Sequence, residues 1–542
     1  MSNQIENDRS AVVGLTIGSL YSSVAVIDKD GRPNVIANED GERLIPTCVA
    51  FRGDEIFAGS QAHNQAVRNP KNTLYNFFDL LGNDETNEIV SSLKAKASYK
   101  LITKDSQLGY EVEYKEKATT FTAHEIAVHF FKVLKETALT FISTQVSATV
   151  IAVPIYYTEE QRKKITLAAN EAGLNVEQIV NEPSAALLAY DSFDKLVLSD
   201  KTVITFDLGA NSLDISLLSA KQGVYTLLSS LQDREVSGLA LDQLLVQHFM
   251  KEFKTKSKID ITDNQRALAK LRVGCELTKK TLASTNSAPC SIESLAEGVD
   301  YHGTINRLRF EMMASKLFNK AIASLEKAIE TAGYHVIDID EVILIGGGSR
   351  IPKLQNRIRD LFPESTSLRL EIETDEAVSR GCVMQSLLLK TLHETEDINL
   401  DTLAKEEGLS NAQHLTKPIG ILDGDNKFVK LIPQDTPLPL RRIFRFENNE
   451  ESAFVQVFEG EKEATTIQPE TPEKDDDDDD EPETPEPYTV YSYKAGKLVA
   501  EVGIDGLNNE SAVELQIQID EQCKLNVLLR DLKSGKNSVA SQ

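Results

Sequence analysis

The run TFDLGANSLDIS, Thr205 to Ser216, has the composition of an apolar strand, a tight glycine turn and a second strand. A turn of that kind lets backbone N–H groups close around a phosphate. Asp207, just before the turn, adds a carboxylate of the type that places a hydrated metal ion beside phosphate oxygens. A second run, GLTIGSLYSSVAV from Gly14 to Val26, repeats the same order. Thr16 stands in the place of Asp207, Gly18 of Gly209, Ser19 of Ala210 and Tyr21 of Ser212. Two such hairpins, one in each half of a duplicated domain, can clasp a triphosphate between them. Only one of them has its acid. The second turn, Gly209-Ala210-Asn211, also carries side chains where close backbone approach favours glycine.

The elements that must position these hairpins follow from the pattern of the chain. From Val12 to about Leu389, short β-rich runs alternate with helical stretches, which is the mark of layered α/β domains. Thr122-x-x-Glu125 and Thr158-x-x-Gln161 each open an amphipathic run as a capping box, the second run ending at Gly173. Residues 394–417 are polar and read as a linker. From Ile419 the pattern changes to short alternating strands (KPIGIL, KFVKLIP, RIFRFE, AFVQVFEG, AVELQIQID, KLNVLL), so an all-β domain is expected over 418–540. Residues 462–487 interrupt it with proline and a run of aspartates. Proline blocks ladder pairing and the carboxylates repel one another, so a disordered loop is expected there, either a solvated spacer or an acidic docking segment.

With 542 residues the chain exceeds one hydrophobic core, and two or more domains are expected. The formal net charge is −26, and residues 470–487 hold eleven carboxylates against one lysine. Direct binding to a nucleic-acid backbone needs lysine or arginine to displace counterions, and this balance opposes it. The five cysteines, Cys48, Cys275, Cys290, Cys382 and Cys523, have neither CxxC nor metal-ligand spacing and read as reduced core thiols. Residues 1–11, expected to be flexible, lack the basic and apolar regions of a secretory signal. No later run reaches membrane-spanning length, and a cytoplasmic protein is expected.

The two hairpins, together with IVNEPSAALLAY (Ile179 to Tyr190) and ILIGGGSRIPKLQ (Ile343 to Gln355), resemble the nucleotide-binding domain of the 70-kDa heat-shock (DnaK) chaperone family. The resemblance continues through NPKNTLYNF, CELTKKTLAS and TDEAVSRG, then through GILDGDNKFVKLIP, and so covers nearly the whole chain. Ordered motifs of this kind are far more specific than one glycine-rich loop. The resemblance implies an α/β, actin-like, two-lobed nucleotide-binding domain over 12–393, followed by a small β-sandwich of the peptide-binding type. The family's leucine-rich interdomain linker has no counterpart in 394–417, and its α-helical lid is not expected after the β domain.

The residues that the resemblance assigns to ATP divide into two groups. The family's Asp-x-Gly-Thr-Thr is here Thr16, Gly18, Ser19 and Leu20, followed by Tyr21, so a carboxylate is missing. His63 in SQAHNQ stands at the family's catalytic lysine. Histidine is shorter and mostly neutral at pH 7, and the residue reads equally as a surface helix position or a residual phosphate contact. At the second hairpin the family's glycines thin to Gly209, Ala210 and Asn211. Leu239 and Ala240 replace two further acids and read as core or interface residues. Glu182, Asp207 and Asp375 persist, as do Glu276 and Lys279 at the family's ribose contacts. Lys280 and Arg350 take the adenine-stacking places, with Gly346 and Gly347 beside the base.

Adenosine recognition is thus better kept than phosphate chemistry, and binding is separable from turnover. The whole pattern resembles the atypical, Ssz-type branch of the family. That branch implies an ATP-binding, hydrolysis-poor subunit, with or without magnesium, in stable heterodimer with a zuotin-like J-domain protein. Such a pair sits on the ribosome through the J-domain partner and stimulates a conventional ribosome-bound heat-shock chaperone acting on nascent polypeptides. An active ATP-driven chaperone and a scaffold that binds no nucleotide are the alternatives.

Overall fold

The structure, a computed structural model, describes residues 12–104, 107–142, 145–194, 200–221, 223–394, 413–448, 451–467, 488–507, 511–520 and 522–541. The chain divides into two compact units, Met1–Ile398 and Asn399–Gln542.

The first unit is built twice on one plan. In its first half β1 (Val12–Ile17) and β2 (Tyr21–Ile27) form an antiparallel hairpin, with β3 (Pro33–Val35) beside β2. After a helix, α1 (Ala123–Phe141), β4 (Ala148–Val153) lies parallel to β1. A second helix, α2 (Glu159–Glu171), leads to β5 (Val176–Asn181), parallel to β4. The order is β5-β4-β1-β2-β3.

The second half starts with α3 (Glu182–Phe193), whose cleft end follows β5 directly. The antiparallel strands β6 (Lys201–Leu208), β7 (Leu213–Lys221) and β8 (Val224–Asp233) come next. Helices α4 (Gly238–Ser257), α5 (Gln265–Ser284) and α6 (Arg307–Thr331) precede β9 (Glu341–Ile345), which lies parallel to β6. β10 (Ser367–Arg369) is parallel to β9, which gives β8-β7-β6-β9-β10, the first order over again. The central strands are almost wholly buried, as the continuous apolar runs of a sheet covered on both faces require.

Each half has its own apolar core, one around Leu15, Phe130 and Ile151, the other around Phe206, Phe249 and Phe318. A third cluster, with Ala152, Ala186, Ile343 and Val378, joins them. It includes the closing helix α7 (Ala377–Glu394), which lies against α3 at Gly381. A side chain there would place its Cβ 1.7 Å from the Ala185 carbonyl oxygen. Both capping boxes form: Thr122 with Glu125 opens α1, and Thr158 with Gln161 opens α2.

The second unit is all β. One sheet runs in the order β12 (Phe428–Ile432), β11 (Ile419–Leu422), β14 (Ser452–Ile467) and β15 (Tyr488–Asp505). The other runs β13 (Leu440–Asn448), β16 (Ser511–Ile519), β17 (Leu525–Asp531) and β18 (Asn537–Ser541). Val457, Val502, Leu515 and Val527 are among their shared core.

Two boundaries differ from the expected ones. Residues 462–467, expected in the acidic loop, continue β14 and pair with 488–493 of β15, because proline and the aspartate run begin only beyond them. Residues 413–417, expected in the linker, belong to this unit. Leu415 donates its N–H to Thr436 (3.0 Å), and its side chain joins the core. Glu394, expected to open the linker, ends α7, and residues 395–412 and 468–487 lie outside the described residues, as do residues 1–11. No helix occurs among the described residues after 412, and no described helix is long and apolar enough to cross a membrane.

Candidate functional site

The duplication brings the two hairpin turns to the same cleft. Each turn closes with one backbone bond, Gly18 N–H to Tyr21 O at 3.1 Å and Gly209 N–H to Ser212 O at 3.0 Å. The cleft holds about 650 Å³. Its lining includes every residue assigned from the sequence to nucleotide, from Gly18, Ser19, Leu20 and Tyr21 to Gly346, Gly347, Arg350 and Asp375, and also Thr16.

At the inner end three carboxylates converge. Glu182 opens α3, Asp207 stands near the end of β6, and Asp214 lies opposite Asp207 in the β6–β7 register. All three line a narrower chamber of about 270 Å³ with Pro154 and Tyr156. Burial pushes each carboxyl above its usual range. Neighbouring acids add to this for Asp207, held up to about 8, and for Glu182, which stands well above the carboxylate range. Asp214 is raised although Ser212 donates to it (2.5 Å) and Gln232 donates as well (3.0 Å).

The first half has the same two positions with different chemistry. Thr16 pairs with Ser23 across β1 and β2 as Asp207 pairs with Asp214 across β6 and β7. Ser23 donates to Ser379 (3.0 Å), whereas the Thr16 Oγ1 atom is buried without a partner among the described residues. An orphaned hydroxyl facing a cleft is a place for an external oxygen or water. Gly346, with φ of 75°, is held to glycine by the protein itself, since a Cβ there would meet Asp207 Oδ1 at 2.5 Å and the Leu208 carbonyl oxygen at 2.6 Å. The orphaned Thr16 hydroxyl fits a phosphate oxygen.

At the outer end Tyr21 donates its hydroxyl to Glu276 Oε1 (2.5 Å), and Lys280 donates to that hydroxyl (3.0 Å). Arg350 is fixed by Glu373 (2.9 Å) and Asp375 (2.8 Å). Lys279 sits elsewhere than a ribose contact beside Glu276 would suggest: its ammonium is tied to Asp242 (2.8 Å) and to the Gly238 carbonyl (2.9 Å). Asn211 donates to Asn76 of the first half (3.3 Å).

Two open expectations are narrowed by the structure. His63, on the short helix Ser60–His63, lines a chamber of about 760 Å³ that shares Tyr21, Lys280, Arg350 and Asp375 with the cleft. Its Nδ1 pairs with the Tyr75 hydroxyl at 3.3 Å, and burial lowers its pKa, so the ring is neutral and turned to a protein partner. Leu239, expected as core or interface, is 46% exposed at the cleft wall, which excludes the core and leaves the interface reading. Sequence reasoning also missed Asp214 and Asp242. The signal for Asp214 was its symmetric place across the glycine turn from Asp207. Asp242 gave none, since its partner lies 37 positions away.

Two α/β halves of one topology, closing paired glycine hairpins on a shared cleft and followed by a β unit, define the architecture of the 70-kDa heat-shock class. The Hsp70 protein family model matches residues 12–470, and the chain belongs to the Hsp70 family of chaperones. It is 36% identical to "Heat shock protein 70 homolog C57A7.12" of Schizosaccharomyces pombe, over 97% of this chain and 94% of that protein. It is 33% identical to "Ribosome-associated complex subunit SSZ1" of Saccharomyces cerevisiae, over 97% of this chain and 98% of that protein. "Heat shock cognate 70 kDa protein 3" of Dictyostelium discoideum is 36% identical over 84% of this chain and 71% of that protein.

Proposed function

We propose that the chain binds ATP in this cleft, hydrolyses it poorly, and acts as a chaperone subunit of a ribosome-associated complex. One observation carries the catalytic part: hydroxyls, Thr16 and Ser23, occupy the register positions that carry Asp207 and Asp214 in the other half. Phosphoryl transfer to water needs groups that stabilise developing charge and hold the attacking water. With an acid missing and His63 turned to Tyr75, the cleft retains ground-state contacts to base and sugar through Glu276, Lys280 and Arg350. Glu182 and Asp207 are the residues that would hold a magnesium ion accompanying the phosphates, where it would neutralise charge.

The near full-length match to a relative named as a ribosome-associated complex subunit supports the same assembly here. In that assembly a zuotin-like J-domain protein is the stable partner, and a conventional ribosome-bound heat-shock chaperone is the ATPase that the pair stimulates on nascent chains in the cytoplasm. The acidic balance of the chain fits ribosome attachment through the partner rather than through its own contacts to RNA. The β unit would take a terminal segment of the partner as an added strand, and tethering would keep that strand bound.

Affinity isolation from a lysate together with ATP turnover tests the reading. Co-purification of a J-domain protein and ribosomal particles, with turnover far below that of a conventional family member even when the partner is present, is expected. Recovery as a lone protein would overturn it. A second reading, an active ATP-driven chaperone, is favoured by the convergence of Glu182 and Asp207, and turnover in the usual family range would select it.

A further inference from the structure

Tyr21 is the first residue of β2, whose Val24 and Val26 belong to the core of the first half. Glu276 and Lys280 lie one turn apart on α5, whose Leu271 and Cys275 belong to the core of the second. Their contact is therefore a bridge between halves. The phenol spends both its hydrogen-bonding capacities on the opposite side, donating to Glu276 Oε1 at 2.5 Å and accepting from Lys280 Nζ at 3.0 Å. Lys280 also pairs with Glu276 (2.9 Å) and stands 4.3 Å from the centre of the Tyr21 ring. Hydrogen bonds to a charged acceptor and a cation over an aromatic face are the stronger members of their kinds.

The same carboxylate is the one the proposed function gives to the sugar. A phenol and a sugar hydroxyl offer a carboxylate the same O–H donor, and Oε1 already accepts from both Tyr21 and Lys280, so a sugar hydroxyl reaching this oxygen competes with the phenol for its two lone pairs. We infer that Tyr21 sets nucleotide affinity by occupying Glu276 as an internal stand-in for a sugar hydroxyl, so that the sugar of an incoming nucleotide must displace it. The inference rests on the proposed adenosine site. Burial and then Glu276 hold the Tyr21 hydroxyl up to about 12, so it remains a donor at any pH the protein meets. Two other bridges, Arg43 to Glu376 (2.7 Å) and Asn211 to Asn76 (3.3 Å), do not engage Glu276. They keep the halves together when the phenol is released.

The test is Tyr21→Phe in the full chain, which removes the hydroxyl and keeps the ring. Calorimetric titration compares ATP with 2′,3′-dideoxy-ATP, which lacks both competing hydroxyls. The variant is expected to bind ATP about fivefold tighter than the wild type, the dideoxy nucleotide being bound alike by both. Hydrogen exchange of the nucleotide-free variant should quicken over residues 16–23 with protection elsewhere unchanged, which shows the bridge broken in a folded chain. ATP binding by the variant that is equal to or weaker than wild type overturns the inference, as does an equal gain for both nucleotides. Absence of binding by either protein removes the adenosine site itself, and is told apart because the wild type then gives no heat.

Discussion

Asp207 and Asp214 are register partners on adjacent strands, two buried carboxylates directly opposite one another. Burial holds both above the ordinary carboxylate range, and Asp214 adds to the rise at Asp207, because like charges so placed cannot both ionise without loss. A carboxyl raised in the folded chain keeps a proton that the unfolded chain has released. With Asp207 moved from 3.8 to about 8, the folded state binds more protons through that window, and stability is lost as pH climbs through it. Thermal melts should show Asp214→Asn gaining about 1 kcal/mol or more at pH 8 and little at pH 4. An equal effect at both pH values would refute the pairing.

Thr16 is the position to return to an acid. Thr16→Asp alone adds a carboxylate to a cleft already lined by Glu182, Asp207 and Asp214, so it should destabilise the fold by about 1–3 kcal/mol in urea titrations. Phosphate release should stay low, because His63 remains neutral and bound to Tyr75. Joined with His63→Lys, which reaches further and brings a permanent charge, turnover should rise at least about tenfold over the wild type. A double variant no faster than the parent would place the lost activity elsewhere.

These two sites also show what could be read from the chain and why the rest could not. The hairpins, the capping boxes at Thr122 and Thr158 and the change to β pattern at Ile419 are local, set by periodicity and turn residues within about a dozen positions. The cleft residues came from motif resemblance, and the topology gathers them because both halves have one strand order. What escaped depends on distant partners. Lys279 turns to Asp242 and His63 to Tyr75, choices made by packing. Leu415 looked like linker because a single buried leucine in a polar run has no period, and what ties it to the β unit, its bonds to Thr436 and Asp435 and its place in the apolar core, all lies at a distance in the chain.

Lys201 offers a prediction about the scaffold. It is buried at the start of β6 and pairs with Asp191 of α3 (2.8 Å) and Glu341 of β9 (2.9 Å). α3 carries Glu182 at its other end, so the pair helps seat the helix that forms the cleft floor. Lys201→Met leaves the buried Asp191 without a cation, while Glu341 keeps Arg369 (3.3 Å), and should cost about 3–5 kcal/mol. Adding Asp191→Leu should recover part of that loss, because the uncompensated charge is gone. Urea denaturation of the single and double variants measures both, and independent, additive losses would show that the residues do not act as a pair.

Gly381 is the last and most local test. α7 crosses α3 where a Cβ at this position would come 1.7 Å from the Ala185 carbonyl oxygen and 2.4 Å from its carbonyl carbon. Backbone cannot swing aside as a flexible side chain can, so relief requires the two helices to part. Both belong to the cluster that joins the halves, through Ala185 and Ala186 on one side and Val378 and Cys382 on the other. Gly381→Ala should therefore lower stability by about 3 kcal/mol or more, although alanine is otherwise the better helix former. The damage should appear in hydrogen exchange as lost protection in α3 and α7, with the core around Phe249 and Phe318 retained. Wild-type protection across α3 in this variant would mean that the helices do not cross at this point.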